Sequence, residues 1–203
     1  MTTVLDTLDG SMLGDGSLVC SDRSAHYYAS YSGTSHLDCL KDVADTFLRS
    51  NIPVSIGYPK LQESVSHGKR YIRATLLTKS CETLTQEYKR WYISGVKEVP
   101  KDLLLTPRAI AQWYMDDGCV RGTKCKTLYV DFSVYSFSIE SVHILEDQLK
   151  NFGILTRESI NKEVKVGSKM RLFILQECVN RFMELVEPYV YPSFREKLKW
   201  RKE

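Results

Sequence analysis

Apolar residues recur at helical spacing in two stretches that end alike. Val4, Leu5, Leu8 and Met12 form one stripe over residues 4–14, and the stretch closes on Asp15-Gly16. Ile110, Ala111, Trp113, Tyr114 and Met115 form another mostly apolar run, closing on Asp116-Asp117-Gly118. Thr106-Pro107 opens that second helix, with Thr at the N-cap and Pro in the first turn. After each Asp-Gly the pattern changes to strand. Leu18–Cys20 and 26–32 follow the first, and 119–123 and 127–137 follow the second. A strongly amphipathic helix comes next in each half. It spans 36–50 through Leu40, Val43, Ala44, Phe47 and Leu48, and 139–152 through Val142, Leu145, Leu149 and Phe152. Hairpins are predicted at 54–58 with 71–77, and at 154–161 with 164–175. Helices are predicted at 81–93 and 176–187.

The order helix, two strands, helix, two strands, helix therefore occurs twice. A 102-position offset separates Asp15 from Asp117 and also aligns Tyr27 with Tyr129, Leu40 with Val142, Val43 with Leu145, Phe47 with Leu149 and Ile52 with Ile154. A unit of this length indicates a duplicated domain rather than a solenoid. Residues 1–94 read as the first repeat, 95–105 as a linker carrying Gly95 and Pro100, and 106–203 as the second repeat with a basic C-terminal tail. The fold class is α+β.

Composition is that of a globular chain: 43% hydrophobic, 26% charged, net charge +3. No apolar run of membrane-spanning length occurs, and residues 1–6 lack the basic and apolar regions of a signal peptide. Six cysteines without a Cys-x-x-Cys pair read as reduced thiols, which points to an intracellular setting. Organelle, phage and bacterial cytoplasm are not distinguished.

The distribution of charge changes the picture more than its sum. Residues 60–79 carry five basic side chains (Lys60, Lys69, Arg70, Arg73, Lys79) against Glu63 alone. Residues 157–171 carry five (Arg157, Lys162, Lys165, Lys169, Arg171) against two acids. Positive clusters on corresponding parts of two repeats fit a phosphate backbone. With the strand residues Arg121, Lys124, Lys126 and Tyr129, these make Lys69, Arg70, Arg73, Lys79, Lys165, Lys169 and Arg171 the candidate nucleic-acid contacts.

Two carboxylates delivered by two helix ends form an acid/base pair, a metal site or a structural contact. Close bare carboxylates repel, and oxygen donors select hard cations such as Mg2+. Beside a basic sheet, metal-assisted phosphodiester hydrolysis is the economical reading.

The stretches Leu8 to Gly16 and Ile110 to Gly118 resemble the motifs of the LAGLIDADG homing endonucleases. The likeness covers nearly the whole chain, as a monomeric two-repeat member of the yeast mitochondrial branch. It departs at Leu13 and Met115, where the motif has its first Asp, and at Gln112 and Trp113. The resemblance implies two motif helices packed through small residues (Gly10, Gly14, Ala111) and two four-stranded antiparallel sheets forming a saddle on DNA. It implies metal binding by Asp15 and Asp117, with Gly14 and Asp116 beside them. Basic groups Lys97 and Lys197 are implied near the scissile phosphates, 82 residues after Asp15 and 80 after Asp117. Mg2+ is the implied cofactor, with Mn2+ able to substitute and Ca2+ supporting binding without efficient turnover. The implied reaction is a double-strand break in a long, asymmetric duplex, cut across the minor groove to leave 3′ overhangs, with no protein partner. Two alternatives stay open: an intron RNA maturase of the same fold, and a non-catalytic DNA-binding regulator, against which both intact acids argue.

Overall fold

The computed structural model describes residues 4–122, 128–161 and 169–198. Helix α1 (Val4–Leu13) leads into β1 (Ser17–Ser21) and β2 (Ser24–Ser32), then α2 (Leu37–Arg49), β3 (Lys60–Ser66), β4 (Lys69–Leu77) and α3 (Glu82–Trp91). A short hairpin, β5 (Tyr92–Ile93) with β6 (Val96–Lys97), joins the halves. The second half repeats the order with α4 (Pro107–Asp117), β7 (Gly118–Arg121), β8 (Tyr129–Ser133), α5 (Ile139–Lys150), β9 (Thr156–Asn161), β10 (Lys169–Ile174) and α6 (Val179–Val186). A 3-10 segment, Pro192–Leu198, follows. The two sheets have the same topology, β1-β2-β4-β3 and β7-β8-β10-β9, and every strand pairing is antiparallel.

Local chemistry accounts for several boundaries. The Thr106 hydroxyl accepts from the Ala109 N–H (3.2 Å) and Pro107 fills the first turn of α4. Ser138 caps α5 in the same way, accepting from the Ser141 N–H at 3.2 Å. His67-Gly68 turns the β3–β4 hairpin with both φ angles positive, 50° and 72°.

The strand paired with β4 is not 54–58 as the apolar pattern suggests but Lys60–Ser66. Val54 makes only an isolated bridge to Thr78, because apolar residues that pack against the core need not join the ladder. Residues 95–105, read as linker, contribute Val96–Lys97 to the short hairpin.

The alignment of Tyr27 with Tyr129 also fails. Tyr27 is fully buried, whereas Tyr129 is 47% exposed. The core face of β2 holds Ala25, Tyr27, Ala29 and Tyr31, while that of β8 holds Val130 and Phe132. One position of slip exchanges the faces of a strand. The helical matches hold, since Leu40, Val43, Phe47, Val142, Leu145 and Leu149 are all buried. One continuous core runs through both halves. No helix among the described residues is long and apolar enough to cross a membrane, and the described cysteines are free.

Candidate active site

Helices α1 and α4 meet along their length with backbone close to backbone. A Cβ at Gly10 would lie 2.8 Å from both Cα and the carbonyl oxygen of Ala109, and one at Gly14 would lie 2.3 Å from Asp116 Cβ. Only glycine permits this approach. The consequence is chemical: α1 and α4 end side by side, so Asp15, just past α1, and Asp117, the last residue of α4, share one polar centre.

Charge and burial act together there. Burial raises Asp117 to about 6, and the nearby Asp15 charge adds to the rise while Lys97 and Lys197 oppose it. Asp15 is raised too, chiefly by burial, with Lys197, Lys97 and His36 acting the other way. Asp15 is the more open of the two, so only part of its carboxyl's surroundings is protein.

Asp116, grouped by sequence with the metal-facing acids, turns instead between the helices. Its Oδ1 accepts from the Tyr31 hydroxyl at 2.7 Å and from Gln112 Nε2 at 3.0 Å, and its Oδ2 accepts from the Asp15 N–H at 3.2 Å. Protein donors thus hold both oxygens. Burial, with the Asp15 charge, pushes its carboxyl up to about 8. Tyr31 and Gln112 hold this carboxylate, a contact that the sequence did not suggest; a polar Gln amid an apolar helix stripe was the available signal. Asp9 is similar. Buried inside α1, it is held by Arg90 Nη1 at 2.6 Å and Trp91 Nε1 at 3.1 Å, which ties α3 to the motif helix.

Each lysine closes the end of one motif helix. Lys97 Nζ donates to the Gly16 carbonyl (2.9 Å) and the Gly14 carbonyl (3.4 Å), bracketing Asp15. Lys197 Nζ donates to Gly118 (2.9 Å), Tyr114 (3.2 Å) and Met115 carbonyls, bracketing Asp117. Both cations meet the negative end of a helix dipole. Burial lowers Lys97 to about 8, with Asp117, Asp116 and Asp15 resisting, and it lowers Lys197 as well. Glu98, next to Lys97, accepts from the hydroxyls of Ser138 (2.6 Å) and Ser141 (2.5 Å), which fastens the β6 strand to α5 of the other half.

The open faces of the sheets carry part of the expected DNA-binding set. On β4, Arg73 and Tyr71 lie opposite the core residues Ala74 and Leu76 and are exposed. Arg70 falls on the other face by alternation, beside Ile72, although it and Arg73 both border one depression next to Ser32 and Gly33. Lys69 and Lys79 are exposed at the two ends of the strand region. Arg121 and Tyr129 are exposed on paired positions of β7 and β8, and Arg171 lies on the same face in β10. Lys169 begins β10. Lys124, Lys126 and Lys165 lie outside the described residues.

Residues 5–182 match the profile of the LAGLIDADG DNA endonuclease family. The chain belongs to that family. Similar proteins include an uncharacterised protein of Methanocaldococcus jannaschii, 33% identical over 126 residues, covering 61% of this chain and 47% of that one. They also include the cytochrome b mRNA maturase bI2 of Saccharomyces cerevisiae, 33% identical over 120 residues, covering 55% of this chain and 27% of that one. The chain thus spans about half, and about a quarter, of these two relatives' lengths. The probable intron-encoded endonuclease 1 of Wickerhamomyces canadensis is 26% identical and aligns over 95% of this chain and 82% of its own. The fold matches that of the homing endonuclease I-WcaI bound to its DNA recognition sequence, with TM-score 0.81 and 23% identity over 100% of this chain and 90% of that one.

Proposed function

We propose that this LAGLIDADG family chain is a site-specific homing endonuclease that hydrolyses both strands of a long, asymmetric DNA duplex. The observation that carries the reading is the pairing of Asp15 and Asp117 at the ends of two interlocked helices, each bracketed by one lysine. Residues 1–94 and 106–203 each supply one acid and one open-faced sheet, joined by 95–105. The described cations on those faces, Arg73, Arg121 and Arg171, suit a duplex backbone and its major-groove edges.

The residues present fit a divalent metal. Asp15 and Asp117 both lie above the ordinary carboxylate range, and a cation between them would offset the desolvation and the repulsion from Asp15 that hold Asp117 there. All-oxygen donors suit Mg2+. Asp15 and Asp117 would hold it. A bound Mg2+ would supply an activated water and charge stabilisation at the phosphate. The chain supplies the rest. Asp116 anchors the Asp15 backbone through its N–H and so sets where that carboxylate sits. Lys97 and Lys197 place positive charge beside the acids, where negative charge develops during phosphoryl transfer. The packed helices keep the two acids in fixed relation, which lowers the reorganisation needed on reaction. We assign the active form as a monomer, with both half-sites on one chain.

The test is incubation of the chain with a library of duplex DNA in Mg2+, followed by sequencing of cut ends. One recurring break with 3′ overhangs is expected in Mg2+ or Mn2+, with binding but little cutting in Ca2+. Equal cutting in EDTA would sink the metal assignment. The maturase relative supports a second reading, intron RNA binding by the same basic faces, and a co-purified structured RNA without DNA cutting would favour it.

A further inference from the structure

Asp131 is a carboxylate with 0% exposure on the open, solvent-facing side of a sheet. Alternation along β8 sets it opposite the core residues Val130 and Phe132. Two arginines cover it. Arg171 Nη1 lies 2.9 Å from Oδ2, and Arg121 Nε lies 3.4 Å from Oδ1. They arrive from both neighbouring strands: Asp131 pairs with Cys119 in β7 and Phe173 in β10, and each arginine stands two residues along. A charge removed from water persists only when paired. Here one carboxylate meets two guanidiniums, so the cluster keeps a net positive charge. The side chains of Arg121 and Arg171 stay 58% and 28% exposed.

The first sheet places no acid at the matching position. Asp131 lies opposite Cys119, two residues past Asp117, and the corresponding residue opposite Ser17, two past Asp15, is Tyr28. The device therefore belongs to one half alone.

We propose that Asp131 is a positioning residue for sequence recognition, fixing Arg121 and Arg171 to read guanines in the half of the DNA target served by the second repeat. This rests on the reading of the chain as a DNA endonuclease. A free arginine can swing to the nearest phosphate, which carries no sequence information. A guanidinium held by a buried carboxylate loses that freedom. Asp131 meets Arg121 at Nε and the Cys119 side chain pairs with the same guanidinium, which stays exposed and suited to guanine O6 and N7. Arg171 is held at a second point, where Nη2 donates to Ser133 Oγ at 3.3 Å. Cys119 is two residues from Asp117, so the guanines read lie near the cut rather than at the outer end of the site.

The experiment is selection of bound sites from a randomised duplex pool in Ca2+, with the full chain, Asp131→Asn, Arg121→Lys and Arg171→Lys. Wild type should prefer guanine at one or two positions in the cut-proximal part of one half. Asp131→Asn should lose about tenfold of that preference per position and keep its outer-position preferences, while its salt slope steepens as the released arginines move to phosphates. Each lysine variant, which keeps charge without the fork, should lose one of the same positions. If Asp131→Asn fails to fold, the lysine variants decide. Unchanged profiles, or a loss spread evenly over all positions, would overturn the assignment of Asp131. If wild type enriches no site, the endonuclease reading itself fails, and this inference with it.

Discussion

Replacing Gly10 by Ala probes the contact on which the shared acidic centre depends. The added methyl would meet the Ala109 Cα and carbonyl oxygen at 2.8 Å and Gln112 Cβ at 2.9 Å. Ordinary carbon contacts lie near ~3.5–4.0 Å. Two of these neighbours are backbone and cannot turn away, so α1 and α4 must separate by about 1 Å to reach that distance. Overpacking of this kind costs about 1–3 kcal/mol. For a chain of this size, about 2 kcal/mol lowers the melting temperature by roughly 4–8 °C. The catalytic effect should be larger than the thermal one. A misplacement of about 1 Å at reacting groups costs on the order of 100-fold in rate. Single-turnover cleavage of the selected site, well below both melting transitions, reads this, and gel-shift affinity should move only a few-fold. Gly33→Ala is the control. It strains a residue with φ +83° and nothing within 4 Å, so it should lower stability without slowing cleavage. Wild-type rates from Gly10→Ala would refute the claim that helix contact sets the spacing of the acids.

Asp117, near 6 in the folded chain against an ordinary 3.8, holds its proton more tightly folded than unfolded. It therefore favours folding at low pH, and that contribution erodes as pH rises from about 4 to about 6. In metal-free denaturation series, Asp117→Asn should gain midpoint over wild type as pH climbs to 7; a gap constant with pH would mean the carboxyl is not desolvated. Lys97→Met and Lys197→Met should slow the two strands unequally, because each lysine brackets a different acid, and a supercoiled plasmid would then accumulate open circle. Equal strand rates in both variants would argue against one lysine per scissile phosphate. Neutralising Arg73, Lys69 and Lys79 together should flatten the log–log salt slope by roughly 0.9 for each phosphate they neutralise in the wild type, and an unchanged slope would place that face in solvent.

The duplicated helices and both motif aspartates were legible because a 3.6-residue apolar period and an Asp-Gly stop are local signals. The strands were less so. The partner of β4 was misplaced because 54–58 is apolar whereas Lys60–Ser66 carries the ladder with mostly polar side chains. The Tyr27–Tyr129 match failed because a helical offset says nothing about a one-residue slip in a strand. Asp116 could not be assigned from its neighbours in sequence. Two of its three partners, Tyr31 and the Asp15 backbone, come from the other half of the chain, and only Gln112 lies on its own helix. By strand alternation alone Asp131 is one more polar residue on an open face, and only its two arginines, reached across separate strands, reveal it as buried.

That Asp15 and Asp117 together hydrolyse DNA is tested most directly by cleavage of the selected duplex in Mg2+. Wild type, Asp15→Asn and Asp117→Asn are compared, with affinity measured alongside. Each substitution should abolish double-strand cutting while affinity stays within a few-fold of wild type. Double-strand cutting at the wild-type rate by either variant would contradict the shared acidic centre.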